Sequence, residues 1–211
     1  PGLWEKLDAL RNCGRRPEES VDADKGTGLY GDEGNFIQSG NYRITDFQAA
    51  VLAEQLQRLP AQNQIRDENA MYFNAQLGQV PGVQPMRRDQ RETAEAYFNF
   101  AFRYDRDEFK ALPVAVFREA LAAELGCSAE ACYEPLNACS LYVPHTKPCR
   151  HTLTEEHFRQ IDPKRFKLPV CTRAYEQESV CFHHNILMGT QADMDVMLEA
   201  IRKIYDHVDE L

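Results

Sequence analysis

Apolar residues fall at helical spacing from the first turns of the chain. Trp4, Leu7 and Leu10 recur at every third position and lead into Arg11-Asn12-Cys13-Gly14. The opening residues therefore read as a helix entered midway, with a natural start expected upstream of Pro1. A second helix is predicted after Gly40. Thr45 suits the N-cap, Gln48 can answer it as the other half of a capping box, and Phe47, Val51, Leu52 and Leu56 follow at core-facing spacing. Pro60 predicts a break. A further helical stretch runs to Leu77, where Gly78 suits the C-terminal cap and Pro81-Gly82 a turn. The period then changes: Ala96 to Tyr104 is aromatic and extended, a strand pattern. Pro113 opens a helix through Phe117 and Leu121 to Leu125, stopped by Gly126. Pro169 to Glu178 is a short helix candidate and Val180 to His183 a short strand. Asp193 begins a last helix with Met194, Met197, Leu198, Ile201 and Ile204 on one face. The order predicts a small α/β layer, helices packed on a short sheet. Val21 to Gly40 and Cys132 to Lys147 read as loops, the first long enough to be functional.

Composition narrows what such a layer can do. The 211 residues suffice for one domain, or for a small domain plus a piece of another. With 43% hydrophobic and 27% charged residues a packed globule is expected rather than disorder. A formal net charge of -9 excludes a binder of nucleic-acid phosphates and argues against an anionic membrane surface. No apolar run approaches the ~20 residues of a membrane span. Pro1-Gly2-Leu3-Trp4 lacks the charged start and apolar stretch of a secretory signal. Seven irregularly spaced cysteines fit reduced thiols in a cytoplasmic protein better than a disulfide framework.

Four stretches carry candidate chemistry. Gly26-Thr27-Gly28-Leu29-Tyr30-Gly31 has the GxGxxG form, but no apolar strand precedes it. Asp32 and Glu33 follow where a phosphate would sit, so it reads as a flexible loop. Cys127, Cys132, Cys139, His145, Cys149, His151 and His157 are all possible zinc ligands. Without a CxxC pair and at haphazard intervals they read as ordinary side chains, and no metal is assigned. His183-His184 ends a strand, where neighbours point to opposite faces and at most one can enter a given pocket. The fourth stretch, Gly40 to Ala50, places an amide and a guanidinium just ahead of a capped helix, whose free N–H groups and partial positive charge suit anions. Asn41 can donate to a phosphate oxygen and Arg43 can hold an anionic or polyhydroxylated substrate. A solvated loop with a good cap explains the residues equally well.

Asn41-Tyr42-Arg43, Thr45-Asp46, Gln48-Ala49-Ala50 and the helix ending Gln57-Arg58-Leu59 resemble the DegT/DnrJ/StrS aminotransferases, fold-type I enzymes dependent on pyridoxal 5'-phosphate (PLP). Leu7 to Arg15 is similar to the helix end after that family's lysine segment. Tyr133-Glu134-Pro135-Leu136-Asn137, Leu141-Tyr142 and Pro144-His145-Thr146-Lys147 resemble the pocket loop of its inosose (aminocyclitol) branch. Leu168-Pro169, Ala174, Glu178 and the closing helix continue the match. The resemblance implies the C-terminal part of a fold-type I transferase: residues 1–59 as the tail of the PLP-binding large domain, with a dimer-interface loop and helix, and 60–211 as the small α/β domain with its short sheet and interdomain helices. It implies a homodimer with shared active sites, in which Asn41 reaches the PLP phosphate of the other subunit and Arg43 lines the same site. Tyr142 and His145 fall on the substrate-facing loop. The implied reaction moves nitrogen from glutamine or glutamate to a keto-sugar or keto-cyclitol such as scyllo-inosose. The family's Schiff-base lysine, ring aspartate and stacking aromatic fall upstream of Pro1. None of Lys6, Lys25, Lys110, Lys147, Lys164, Lys167 or Lys203 stands in a comparable context, so no catalytic residue is assigned within the chain. Two rival expectations stand beside this one. The first is a same-fold dehydratase or non-catalytic homologue; the second is a small zinc-binding module on the Cys127–His157 stretch.

Overall fold

The computed structural model describes residues 3–11, 39–140 and 154–211. They fall into two compact units, Pro1–Leu59 and Pro60–Leu211.

In the first unit the Trp4-Leu7-Leu10 pattern forms helix α1, Leu3–Arg11. The last carbonyls of a helix have no partner within it. Here Leu10 O accepts from the Ser39 hydroxyl (2.5 Å) and Arg11 O from the Tyr42 N–H (3.0 Å). The segment before the next helix is thereby fastened to the end of α1.

Helix α2 runs Asp46–Leu77. Its start is the capping box read from sequence. Thr45 N–H donates to Gln48 Oε1 (2.9 Å), and Gln48 N–H to Thr45 Oγ1 (3.2 Å). Two expectations fail along it. Pro60 does not break the helix but lies inside it. An interior proline removes one backbone bond, here to the Leu56 carbonyl, and costs about 3 kcal/mol. Leu56 and Pro60 both lie on an exposed stretch, where water can take the freed carbonyl. The second failure is burial. Phe47, Val51, Leu52 and Leu56 are exposed, Phe47 at 81%. All the buried residues of α2 come after Pro60: Arg66, Asn69, Ala70, Phe73 and Leu77.

The second unit is a three-stranded antiparallel sheet in the order β1-β2-β3, with helices on one face. β1 (Val83–Pro85), which the patterns above did not suggest, pairs Val83 with Tyr104. β2 spans Asn99–Tyr104, shorter than the aromatic run, and β3 spans Ser179–His183, with Asn99 opposite His183 and Ala101 opposite Cys181. Alternation sends Phe100, Phe102, Tyr104, Val180 and Phe182 into the core. Against them lie Phe73 and Leu77 of α2, Phe117 and Leu121 of α3 (Val114–Leu125), and the last helix. Tyr104 sits 4.7 Å from both Phe109 and Phe117, and its hydroxyl donates to Leu112 O at 2.9 Å. Gly82 turns the chain into β1 at φ +74°. A Cβ there would fall 2.7 Å from the Phe109 ring.

α4 (Glu155–Gln160) is capped by Thr154. The expected 169–178 helix divides into α5 (Pro169–Arg173) and one π-helical turn, Ala174–Glu178. The last helix, α6 (Gln191–Asp206), begins two residues before Asp193, because Thr190 caps it with Asp193 as the answering residue. Met194, Met197, Leu198, Ile201 and Ile204 are all buried, as their spacing predicts. No helix among the described residues is long and apolar enough to cross a membrane.

Candidate functional site

Two places carry groups that a small molecule could use, one in each unit. In the first, the fastening of Ser39 and Tyr42 to α1 fixes the intervening backbone and presents Asn41 just before the capped start of α2. Asn41 Oδ1 is occupied: it accepts from the Arg43 N–H and from Arg43 Nε, both at 3.2 Å. An amide has one acceptor and one NH2 donor end. With the acceptor turned inward, the donor end of exposed Asn41 faces away from Arg43. The terminal nitrogens of Arg43, also exposed, have no carboxylate partner among the described residues. The segment thus presents the donors of Asn41 and Arg43 beside a helix start that attracts negative charge, part of which Asp46 in the first turn of α2 already answers. A phosphate fits that donor set.

Tyr142 and His145 lie outside the described residues, as do Cys149, His151 and the Gly26–Gly31 loop. Among the described residues no group of three or more His, Cys, Asp or Glu side chains is placed to hold a metal ion. Of the lysines, Lys203 is held by Glu124 at 2.7 Å and Lys110 pairs with Asp209, both on the surface. Neither is desolvated in the way that activates an amine nucleophile.

The second place is the face of the sheet opposite the core. There the outward residues of β2 and β3 meet the strand-like segment at Glu130, which exchanges backbone bonds with Cys181 (2.9 and 2.8 Å). Two adjoining cavities of about 370 and 340 Å³ open on this face and share Asn99, Glu130 and Tyr133. Ala131, Cys132, Glu134 and Tyr175 complete the first; Phe98, Ser128, Cys181, Phe182 and His183 complete the second. None of the Asn99, Glu130, Tyr133 or Tyr175 side chains is hydrogen-bonded to another described residue. One amide, two carboxylates (Glu130 and Glu134) and two phenols therefore stand ready with both donors and acceptors. Flat polar groups beside aromatic faces are the chemistry that holds a polyhydroxylated ring. Burial pushes the Cys181 thiol up to about 11, which keeps it protonated and a poor nucleophile.

Of the two histidines, only His183 lines the cavity; β3 ends there, and His184 belongs to the turn that follows. His184 turns to α2, where its Nδ1 accepts from Nε of Arg66 at 3.2 Å. Desolvation, then the nearby His183 and Arg66, hold His184 below the ordinary histidine range. Asn99, Glu130 and Tyr175 do not stand out in the sequence. The available signal was that Asn99, Ala101 and Arg103 occupy the outward positions of a strand whose inward ones are all aromatic.

Residues 1–179 match the DegT/DnrJ/EryC1/StrS aminotransferase family. The chain is 36% identical over 209 residues to the L-glutamine:2-deoxy-scyllo-inosose aminotransferase of Streptoalloteichus tenebrarius, covering 99% of this chain and 48% of the relative. It is 31% identical over 175 residues to the L-glutamine:scyllo-inosose aminotransferase of Streptomyces griseus, covering 83% and 41%. The chain thus spans about half the length of the curated relatives it matches. Among solved structures it superposes on 3-amino-5-hydroxybenzoic acid synthase with a TM-score of 0.64 at 22% identity, over 99% of this chain and 47% of that one. It also superposes on an aminotransferase from Psychrobacter cryohalolentis with a TM-score of 0.66 at 18% identity, over 98% and 50%. These two likenesses carry the fold.

Proposed function

The chain belongs to the DegT/DnrJ/EryC1/StrS aminotransferase family, and from that premise we propose that it is the C-terminal part of a PLP-dependent aminotransferase that aminates a keto-cyclitol such as scyllo-inosose, or a keto-sugar, with glutamine or glutamate as donor. The names of its relatives supply the substrate class. The observation that carries the reading is the pair of donors that Asn41 and Arg43 present ahead of α2. In the proposal, residues 1–59 are the tail of the large domain and 60–211 the small domain. The complete protein is a cytoplasmic homodimer with shared sites.

Each residue then has a task. Asn41 donates its amide protons to the PLP phosphate of the other subunit. Arg43 holds the anionic or hydroxylated substrate near it. Tyr142 and His145 face the substrate from their loop. The outer sheet face supplies Asn99, Glu130 and Tyr133 for the hydroxyls of the ring. The bound cofactor supplies the electron sink through which nitrogen passes between amino acid and ketone. The lysine that carries it belongs to the upstream part.

Mixed dimers of the full-length protein test the assignment. One subunit lacks the upstream lysine; the other carries Asn41→Ala and Arg43→Ala. With trans-acting residues both lesions fall on one site, and each heterodimer should regain about half of wild-type activity. Heterodimers that form but stay inactive would place Asn41 and Arg43 in their own subunit's site and overturn the trans assignment. Asn41→Ala alone removes one charge-assisted hydrogen bond, about 1.5–3 kcal/mol, a roughly ten- to hundredfold weaker hold on PLP. A dehydratase would instead release water from the same ring without consuming the amino donor.

A further inference from the structure

The two strand-end histidines carry more information than their positions. Arg66 is 9% exposed, and no carboxylate pairs with it among the described residues. Its guanidinium donates to Asn63 Oδ1 (3.1 Å) and to His184 Nδ1 (3.2 Å). A guanidinium only donates, so Nδ1 of His184 must present a lone pair, and the ring is the neutral form with its proton on Nε2. His183 is constrained the other way. Its Nδ1 lies 3.1 Å from Oδ1 of Asn185. A carbonyl oxygen only accepts, so Nδ1 of His183 carries the proton, and of the two neutral tautomers the geometry selects the one whose lone pair is on Nε2. The two imidazoles are in contact and tilted, centroids 4.2 Å apart at 37°, with Phe98 edge-on to His183 at 6.5 Å. The corner that carries them is held from α2 as well. Asn69, buried, donates to Leu187 O (2.9 Å) and Gly189 O (2.8 Å). Arg66 and Asn69, three residues apart on one helix face, thus clamp the turn that follows β3.

We infer that His183 is the residue of the outer-face cavity that accepts a hydroxyl proton of the ring, through Nε2, and that Asn185 and the Arg66–His184 pair are the positioning residues that set its tautomer and orientation. The inference rests on the reading of that cavity as substrate-facing. Its content is chemical. Asn99 offers a donor and an acceptor and Tyr133 a phenol, whereas a ring hydroxyl that must donate needs an acceptor held in place. Glu130 accepts on the same wall. In the tautomer that Asn185 selects, the imidazole Nε2 adds a second acceptor, beside the apolar Phe98 ring. Were Asn185 absent, Nε2 would be free to take up the proton and turn from acceptor to donor. Were Arg66 absent, His184 would lose its fixed tautomer, and with it the packing that holds His183.

The test uses the full-length protein with 15N-labelled histidine, and long-range proton–nitrogen correlation to read each tautomer. His183→Gln assigns the signal. In the wild type, His183 should show Nδ1–H with unprotonated Nε2, and His184 the reverse. Addition of scyllo-inositol, an unreactive polyol, should shift His183 Nε2 and the Asn99 side-chain amide. Asn185→Ala, at an exposed position that leaves the fold intact, should move His183 toward Nε2–H. It should raise KM for scyllo-inosose about three- to tenfold, the loss of one neutral hydrogen bond, with kcat little changed. Arg66→Met should scramble the His184 tautomer; a fold loss there leaves the Asn185→Ala arm to decide. His183 protonated on Nε2 in the wild type, or an unchanged KM in Asn185→Ala, overturns the inference even while Asn99 still responds to the polyol. If neither Asn99 nor His183 responds, the cavity is not substrate-facing, and the reading falls with the inference.

Discussion

In α6, Met194, Met197, Leu198, Ile201 and Ile204 are buried against the sheet. In the opening turns of α2, Phe47, Val51, Leu52 and Leu56 follow a similar apolar spacing and stand exposed, as do Leu3, Trp4 and Leu7 on α1. Both helices even begin with the same device, a threonine cap answered from three residues on. Hydrophobic periodicity states that a face needs covering; it does not state which chain, or which part of one, covers it. The two units also differ in density. The second has one contiguous core, whereas the first presents most of its described apolar side chains to solvent. That contrast suits a first unit designed to lie against more protein, which is the arrangement proposed above.

The contrast predicts its largest effect at the buried face of α6. Ile201→Ala should cost the 211-residue chain about 2–5 kcal/mol in urea unfolding, from lost burial plus the cavity left behind. Leu56→Ala should cost less than about 1 kcal/mol, because its side chain is already in water. Equal losses would erase the distinction. In the full-length protein the order of sensitivity should change. Phe47→Glu should weaken subunit association by about 2 kcal/mol or more, roughly thirtyfold, read by sedimentation. Unchanged association would mean that the opening turns of α2 are covered by something other than a second copy.

Next come the two caps. Thr190→Ala should cost about 1 kcal/mol, since α6 frays only by disturbing the core. Thr45→Ala should leave global unfolding almost unmoved and raise amide exchange only in the first turn of α2. The smallest effect is on pH. His184 is depressed below the ordinary 6.5 of histidine. As pH falls through 6.5 the unfolded chain takes up that proton before the folded one. Stability therefore declines until the folded His184 protonates in turn. His184→Gln should remove this decline. At lower pH a second loss should appear. Asp193 is held below the usual carboxylate range by the Thr190 N–H, so its contribution is complete above about pH 4 and fades as pH falls through its folded value. Neither loss should change on Arg43→Met, because both belong to the second unit.

Local features were legible in the sequence wherever neighbours along the chain decide them. The capping box at Thr45 and Gln48, the left-handed C-cap at Gly126 and the inward face of α6 follow from chemistry within one or two turns. The block from Asn41 to Ala50 was legible for another reason: a donor pair ahead of a helix start is a compact unit of chemistry. Only the tertiary structure decided what depends on residues far apart. It carried α2 through Pro60 and drew Arg66 to His184 across 118 positions. It set Asn99, Glu130 and His183 on one sheet face by strand pairing that no local pattern encodes. It also left Phe47 exposed and Ile201 buried, because burial is settled by the presence of an opposing surface and periodicity only by the residues of one helix.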